Sequence, residues 1–254
     1  MQTKDVTKFV KELQIADSKS SFPTKRDIVD ATNAEKFVEG KEQAFLSDKS
    51  IFSFASEVTG QIREDVLNST LLAQLAANKV FNTPDKLVEW QKKFAEVLNH
   101  LGWVVEASEF QSFDSKHSLV EVEQAIIDIL TATFGSTIIP IVKKTLEAIK
   151  GLANTDGKIK AFETNTTSVS KGVFQMGVAS QKDDTVALQL GSFIIDSNNK
   201  ITKILFVKIE KGSTRMDYNS QKATLAQGNY GKVRETIIEK LGSKTDEYIA
   251  AIDL

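Results

Sequence analysis

Two histidines, His100 and His117, are the only side chains in the sequence that could serve as imidazole bases or nitrogen metal ligands, and there is no cysteine. Without cysteine there is no thiolate nucleophile, thiolate metal site, disulfide or thioester-linked lipid. His100 precedes Leu101–Gly102, a helix stop where a cation suits the negative end of the helix dipole. His117 stands beside Ser118, a residue type that caps helices. Both read as structural or solvated. No H-E-x-x-H, P-loop, nucleophile elbow or Rossmann glycine pattern occurs. Asp183–Asp184 are adjacent carboxylates in a polar connector, where solvation is their ordinary role. Asn165–Thr166–Thr167 matches a glycosylation sequon, a pattern common by chance. Enzymes gather nucleophiles, bases or ligands at one place. The expectation is therefore a protein that is not an enzyme, with no catalytic metal and no cofactor.

The bulk composition narrows the partners. Basic residues number 32 against 34 acidic, for a net charge of −2. That leaves no cationic surplus for phosphate contacts, so no nucleic-acid partner is expected. A hydrophobic content of 41% over 254 residues is enough for a large core. The N-terminal MQTKDVTKFVKELQ is charged throughout and shows no cleavable secretory signal. No 18-residue stretch is apolar enough for an ordinary transmembrane helix, so a membrane would be met from the soluble state.

Apolar spacing predicts a short helix over Lys4–Ile15, an irregular polar stretch with one short edge strand near Gln43–Leu46, and a helix over Glu57–Phe81. Thr83 as N-cap, Pro84 at the first helical position and Gly102 at the stop frame the next helix. Trp103–Phe113 reads as a strand. Ser118 and Glu121 fit a capping box that opens a helix to Phe134. Gly135 ends that helix, and a second runs over Thr137–Leu152 with Pro140 in its first turn. Then the period changes. Lys158–Thr164, Lys171–Ser180, Thr185–Asp196, Thr202–Glu210 and Thr214–Leu225 read as strands joined by hairpin-length connectors, forming one antiparallel sheet of about five strands. Tyr230–Leu241 is a closing amphipathic helix. With no repeat or linker, residues 1–254 read as one domain: 1–50 an irregular N-terminal wrap, 51–154 mainly helical, 155–254 sheet plus C-terminal helix. Val186–Ile195 is apolar on both faces, whereas a sheet with one wet face alternates. The fold class is therefore α/β of the α+β type, a three-layer α/β/α sandwich with a central antiparallel sheet.

Ala125–Val142, AIIDILTATFGSTIIPIV, carries a single charge, Asp128. It reads either as a helix pair packed on the sheet or as a hairpin that leaves the sheet for a bilayer, and the two readings are compatible if the protein changes state. Several C-terminal strands reach the roughly 9–11 residues of a tilted transmembrane strand. Phe174, Met176 and Val178 share one face of theirs, as in a barrel wall or any half-buried strand.

The C-terminal third resembles the Cyt-type cytolytic δ-endotoxins, with which the Evf virulence factor is grouped as a distant relative. The phrases that carry the resemblance are VFQMGVASQ (Val173–Gln181), GSFII (Gly191–Ile195) and ILFVKIEKGSTRMDYNSQKATLAQGNY (Ile204–Tyr230). In the last, Phe206, Lys208, Ser213, Arg215, Asn219, Gln221, Ala226, Gln227 and Tyr230 stand at matching places. The acidic residue of the family's "GFEI" phrase is replaced here, since Ile194 follows Phe193. The resemblance implies a central sheet flanked by helical hairpins. It also implies a toxin-like virulence protein, insecticidal in part of the family, that binds membrane lipid without a receptor, self-associates on membranes and permeabilises them. The alternative is a non-lytic lipid-binding or protein-interaction module of the same fold, holding a fatty acyl chain noncovalently. Such a protein would be released or secreted and would act at host membranes. The residues expected to meet lipid are Ile126, Ile129, Leu130, Phe134, Ile138, Ile139, Phe174, Met176, Phe193 and Phe206.

Overall fold

The computed structural model describes residues 3–17, 37–81, 86–114, 118–152 and 156–254. The cap at Thr83–Pro84 and His117 lie outside them. Along the chain come α1 (Thr3–Glu12), β1 (Gln43–Ser47), β2 (Ser50–Phe54), α2 (Gly60–Val80), α3 (Leu87–His100), β3 (Trp103–Ala107), β4 (Gln111–Ser112) and β5 (Leu119–Glu121). They are followed by α4 (Val122–Phe134), α5 (Ile139–Leu152), α6 (Gly157–Thr166), β6 (Thr167–Ser168), β7 (Lys171–Lys182) and β8 (Thr185–Ser197). A 3-10 turn at Ile204–Phe206 leads to β9 (Lys208–Glu210), β10 (Thr214–Ala226), α7 (Gln227–Tyr230), α8 (Arg234–Leu241), α9 (Lys244–Tyr248) and β11 (Ile249–Ile252).

The layers follow from where the apolar residues point. The sheet runs β11–β1–β2–β7–β8–β10–β3, with β4 added to β10 and β6 to β7. Helices α1, α2, α3 and α8 pack on one face, and α4, α5 and α6 on the other. This is the three-layer α/β/α sandwich. Val186, Leu188 and Leu190 are buried toward the α2–α3 layer, and Phe193 and Ile195 toward the α4–α6 layer. The β8 strand is thus covered on both faces, as its unbroken apolar run requires. The pairings are antiparallel except for β2 on β7, which is parallel and makes the sheet mixed.

Several sequence expectations are corrected. Lys158–Thr164 is not a strand but most of α6. The brief alternation Lys158–Ile159–Lys160–Ala161 imitates a strand. The Asp156 carboxylate, however, accepts the Lys158 amide at 2.6 Å as an N-cap, and Ile159, Phe162 and Thr166 recur on one buried helical face. Thr202–Glu210 contains only the short β9, which pairs with β5 outside the main sheet. Consecutive Ile204 and Leu205 are both buried, which the 3-10 turn achieves and an edge strand would not. The single antiparallel sheet drawn over Gly157–Leu225 therefore reduces to three long strands, β7, β8 and β10. The Ser118–Glu121 capping box does not form, because Leu119–Glu121 is used as β5 and the helix opens at Val122. The closing helix is divided: α7 is followed by α8, and Gly242, with φ of +53°, ends α8. Besides β5 and β6, two strands of the main sheet path escaped the sequence reading, β2 and β11. Their presence puts β1 one place in from the sheet edge. The sheet consequently draws strands from all three sequence regions, including the one read as an irregular wrap.

The two helical layers are offset. On β10, Met216 faces the α4–α6 layer near the start, whereas Ala223 and Leu225 face the α2–α3 layer near the end. The same exchange occurs along β8. The apolar face of each strand therefore changes side at mid-length. Lys222 and Thr224 are exposed, and Gln189 is half-buried, on the face opposite Ala223, Leu225 and Leu188.

Helix α8 is locked to α2 by Arg234, which donates from Nε and Nη2 to the two carboxylate oxygens of the buried Asp65, both at 2.7 Å. Removing one partner of such a pair leaves an uncompensated buried charge. Arg234→Met is expected to lower the unfolding free energy by about 3 kcal/mol, measured by urea denaturation at neutral pH. Adding Asp65→Asn to that variant should recover part of the loss.

Candidate functional site

The candidate site is the α4–α5 hairpin and the half-sheet beneath it. The buried side of α4 is Val122, Ala125, Ile126, Ile129 and Leu130, and that of α5 is Ile139, Ile141, Val142, Leu146 and Ile149. These recur at three- and four-residue spacing, the signature of one apolar helical stripe. Gly135, with φ of +83°, turns the chain between the helices, a conformation glycine adopts without steric cost. Asp128, the lone charge of the segment, stays on the outer surface and accepts from Gln124 Nε2 at 2.7 Å. The exposed end of the hairpin is Thr131, Ala132, Thr133, Gly135, Ser136, Thr137 and Pro140. It is polar in places but uncharged.

Below the hairpin the sheet presents Phe174, Met176, Val178, Phe193, Ile195 and Met216. Phe174 and Phe193 stack with ring centroids 5.0 Å apart. All ten residues expected to meet lipid lie in this one cluster. Ile126, Ile129, Leu130, Ile138, Ile139, Phe174, Met176 and Phe193 are buried, and Phe134 and Phe206 pack at its border. Sequence reasoning missed the contribution of α6, through Ile159 and Phe162, and of the turn residues Ile204 and Leu205. The Asp156 cap was the available signal for the first.

The hairpin is held by few directional bonds. Thr145 Oγ1 and Ser53 Oγ, on α5 and β2, lie 2.8 Å apart. Thr133 Oγ1 and Ser220 Oγ lie 3.3 Å apart. Lys144–Glu42 at 3.0 Å and Lys150–Glu123 at 3.4 Å are exposed pairs, which contribute little. The base of α4 is fixed by its first amide, since Val122 N donates to Val207 O at 3.0 Å.

The opposite face of the sheet differs in kind. Ser47, Ser50, Gln175, Ser192 and Asn219 stand in register across five adjacent strands, all buried. Gln74 of α2 and Gln91 of α3 reach this row: Ser50 Oγ lies 3.0 Å from Gln74 Oε1, and Gln91 Oε1 accepts from Gln175 Nε2 at 3.4 Å and from the neighbouring Gln221 Nε2 at 2.9 Å. A cleft of about 210 Å³ is lined in part by Lys49, Phe81, Leu87, Trp90, Thr166 and Lys171. His100 does not approach it: its Nδ1 lies 2.8 Å from Glu96 O and its ring stacks on Phe9. Among the described residues no three His, Cys, Asp or Glu side chains gather where they could hold a metal ion.

No family model and no curated protein matches the sequence. Among solved structures, the chain is similar to the activated Cyt2Ba monomer from Bacillus thuringiensis subsp. israelensis, at 14% identity over 70% of this chain and 97% of that one, with a TM-score of 0.39. It is similar to a δ-endotoxin at 15% identity over 78% and 89%, with a TM-score of 0.42. It is similar also to the Evf virulence factor at 12% identity over 96% and 90%, with a TM-score of 0.37. These are proteins of the group that the C-terminal phrases resemble.

Helix α4 comes close to the sheet at Gly191. A Cβ there would stand 2.7 Å from Phe193 Cζ and 3.0 Å from Leu130 Cδ2. Overpacking of this kind costs about 1–3 kcal/mol. Gly191→Val should therefore lower the urea midpoint and raise dye binding to exposed apolar surface. A variant as stable as the parent would show that α4 does not seat here.

Proposed function

We propose that this is a toxin-like, membrane-acting protein that binds lipid through the α4–α5 hairpin and the half-sheet under it, with no catalytic step. One observation carries the reading. From Ile129 to Val142 the hairpin has no charge at all, the sheet surface its buried side meets is apolar apart from the hydroxyls of Ser53 and Ser220, and its exposed end is uncharged. Parting these two surfaces in water exposes apolar area at about 25 cal/mol per Å². A lipid surface removes that penalty on both sides at once. A state in which hairpin and sheet are separated is therefore selected by lipid, which binds it and not the closed state.

The dimensions favour insertion at the interface over a spanning helix. Helix α4 has 13 residues, about 20 Å of length, against a hydrocarbon core of about 30 Å. Among the described residues no helix is long and apolar enough to cross a membrane. The strands β7, β8 and β10 have 12 or 13 residues, which is sufficient length. A lipid-facing strand, however, keeps one apolar face throughout. In the present register β8 and β10 change faces midway, so a barrel built from them would turn Gln189 and Lys222 toward lipid. The reading is thus a hairpin lying in the headgroup boundary, from which permeabilisation follows by disturbance of the leaflet.

Tethering α5 to β2 tests it. The hydroxyls of Ser53 and Thr145 are close enough for Ser53→Cys/Thr145→Cys to form a disulfide, and no native cysteine competes. The reduced variant should release dye from protein-free phosphatidylcholine–phosphatidylglycerol vesicles. The oxidised one should lose most of that activity and regain it on reduction. Equal leakage in both states would remove hairpin separation from the mechanism. Co-sedimentation with vesicles but no leakage in either state would favour the non-lytic lipid-binding form. No association with any vesicle composition would overturn the membrane reading.

A further inference from the structure

Glu163 sits in the last turns of α6 and is buried on the α4–α6 side of the sheet. One carboxyl oxygen, Oε2, accepts the backbone amide of Ile204 in a short hydrogen bond. The other, Oε1, has no hydrogen-bond partner among the described residues. The hydroxyls of Thr166 and Thr167 are nearby, but they donate to the Glu163 carbonyl, not to its carboxyl. The charged side chain facing the carboxyl from the elements packed against it is Lys203, whose ammonium also lies 5.8 Å from the centre of the Phe206 ring.

Ile204, the residue held, opens the 3-10 turn that supports α4. Its side chain lies directly over Gly172 of β7, where even a Cβ would come within 2.5 Å of Ile204 Cδ1. Two residues beyond Leu205 the chain reaches Val207, whose carbonyl accepts the first amide of α4. One continuous path thus runs from the Glu163 carboxyl, through the Ile204–Phe206 turn, to the base of the hairpin.

We propose that Glu163 is a proton-operated clasp on this hairpin: protonated it holds the Ile204 turn and the base of α4 against the sheet, and ionised it loosens them. A neutral carboxyl accepts the Ile204 amide through its carbonyl oxygen and carries no net charge to solvate. A carboxylate in the same place has one amide and a neighbouring lysine in exchange for its full hydration, which is a poor substitute for a buried ion. Burial raises the Glu163 pKa to about 7, against smaller opposing contributions from the Ile204 amide and from Lys203. Because the folded-state pKa lies above the value of 4.5 for a free side chain, the folded state binds the proton more tightly. The stabilisation is then fully present below about pH 4.5 and is lost as pH rises through about 7. The clasp should release on the alkaline side. Its effect on stability stands by itself, whereas its effect on membrane action rests on the function proposed above.

Two measurements keep these apart. In the first, without lipid, the hydrogen-exchange protection of the Val122 amide is followed from pH 5 to 9, corrected for intrinsic exchange. The parent should lose at least about tenfold protection, the equivalent of one pKa unit. Glu163→Gln, which keeps an acceptor for Ile204 but cannot ionise, should stay flat. Asp128→Asn, at an exposed acid, should keep the parent profile. Lys203→Met removes the cation that favours ionisation, and its transition should move to higher pH. That shift also serves should Glu163→Gln fold poorly. A parent profile with no transition, or a Lys203→Met profile identical to the parent's, overturns the clasp. So does a folded Glu163→Gln that keeps the transition. In the second, dye release from the same vesicles is measured over the same range. Release that rises with pH in the parent and is pH-independent in Glu163→Gln supports the clasp as the control on membrane action. Release that ignores pH while protection follows it overturns that control and leaves the clasp as a stability device.

Discussion

Helix α2 is buried along nearly its whole length, yet its sequence places Arg63, Asp65, Asn68, Ser69 and Gln74 in that buried stretch. Each polar group withdrawn from water without a partner costs free energy, and meeting this demand organises the molecule. The Arg63 guanidinium donates to the carbonyls of Val58, Val38 and Lys41 and to Gln43, with Phe54 beneath it, so it gathers the segments on either side of the β1–β2 hairpin. Asp65 takes Arg234 and so fixes α8. Ser69 receives the Trp103 indole N–H at 3.1 Å and so sets the start of β3. Gln74 accepts from the Lys49 amide and the Ser50 hydroxyl where β2 begins. One helix, through four side chains, positions a loop cluster, a C-terminal helix and both flanks of the sheet.

The two faces of the sheet are consequently held by different physics. Contacts on the α2–α3 side combine a large apolar cluster with directional bonds between buried polar groups, and each such bond broken would leave a donor or acceptor unmet. Contacts between sheet and hairpin on the α4–α6 side are almost wholly non-directional and depend only on keeping water out. Hydrocarbon satisfies the second kind of interface as well as protein does, and cannot satisfy the first. If a layer parts from the sheet at a membrane, this asymmetry selects the hairpin.

Much of this was legible in the sequence where one period ran long enough. Ala125–Val142 announced its helix pair through aliphatic spacing around Gly135, and Val186–Ile195 announced two-sided burial by refusing to alternate. The failures have physical causes. Ser50–Phe54 is buried at all five positions, so β2 carries no alternation to read. Ile249–Ile252 is four residues long and finds its partner only in β1, some two hundred positions earlier. Lys158–Ala161 alternates for just long enough to mislead, and only the Asp156 cap distinguishes it. The ten apolar residues expected to meet lipid could be picked out, and share one cluster, because apolarity is a local property. Their neighbours from α6 and the Ile204 turn were hidden because proximity is not.

The parallel pairing of β2 with β7, together with the antiparallel pairing of β1 with β11 on the hairpin's other side, also governs how the chain can fold. Ser50 meets Gln175, and Ala44 meets Ile252, so the first hairpin has both its neighbours in the distant C-terminal half. Loop closure over such spans must be accomplished before the contacts reward it, and topologies of this kind fold slowly. On a ribosome the β1–β2 hairpin would emerge with both edges open and wait through most of translation for the strands that flank it. The nascent chain therefore has a prolonged stage in which apolar strand edges are uncovered. Its yield in a cell should depend on how well that stage is chaperoned more than on the stability of the finished fold.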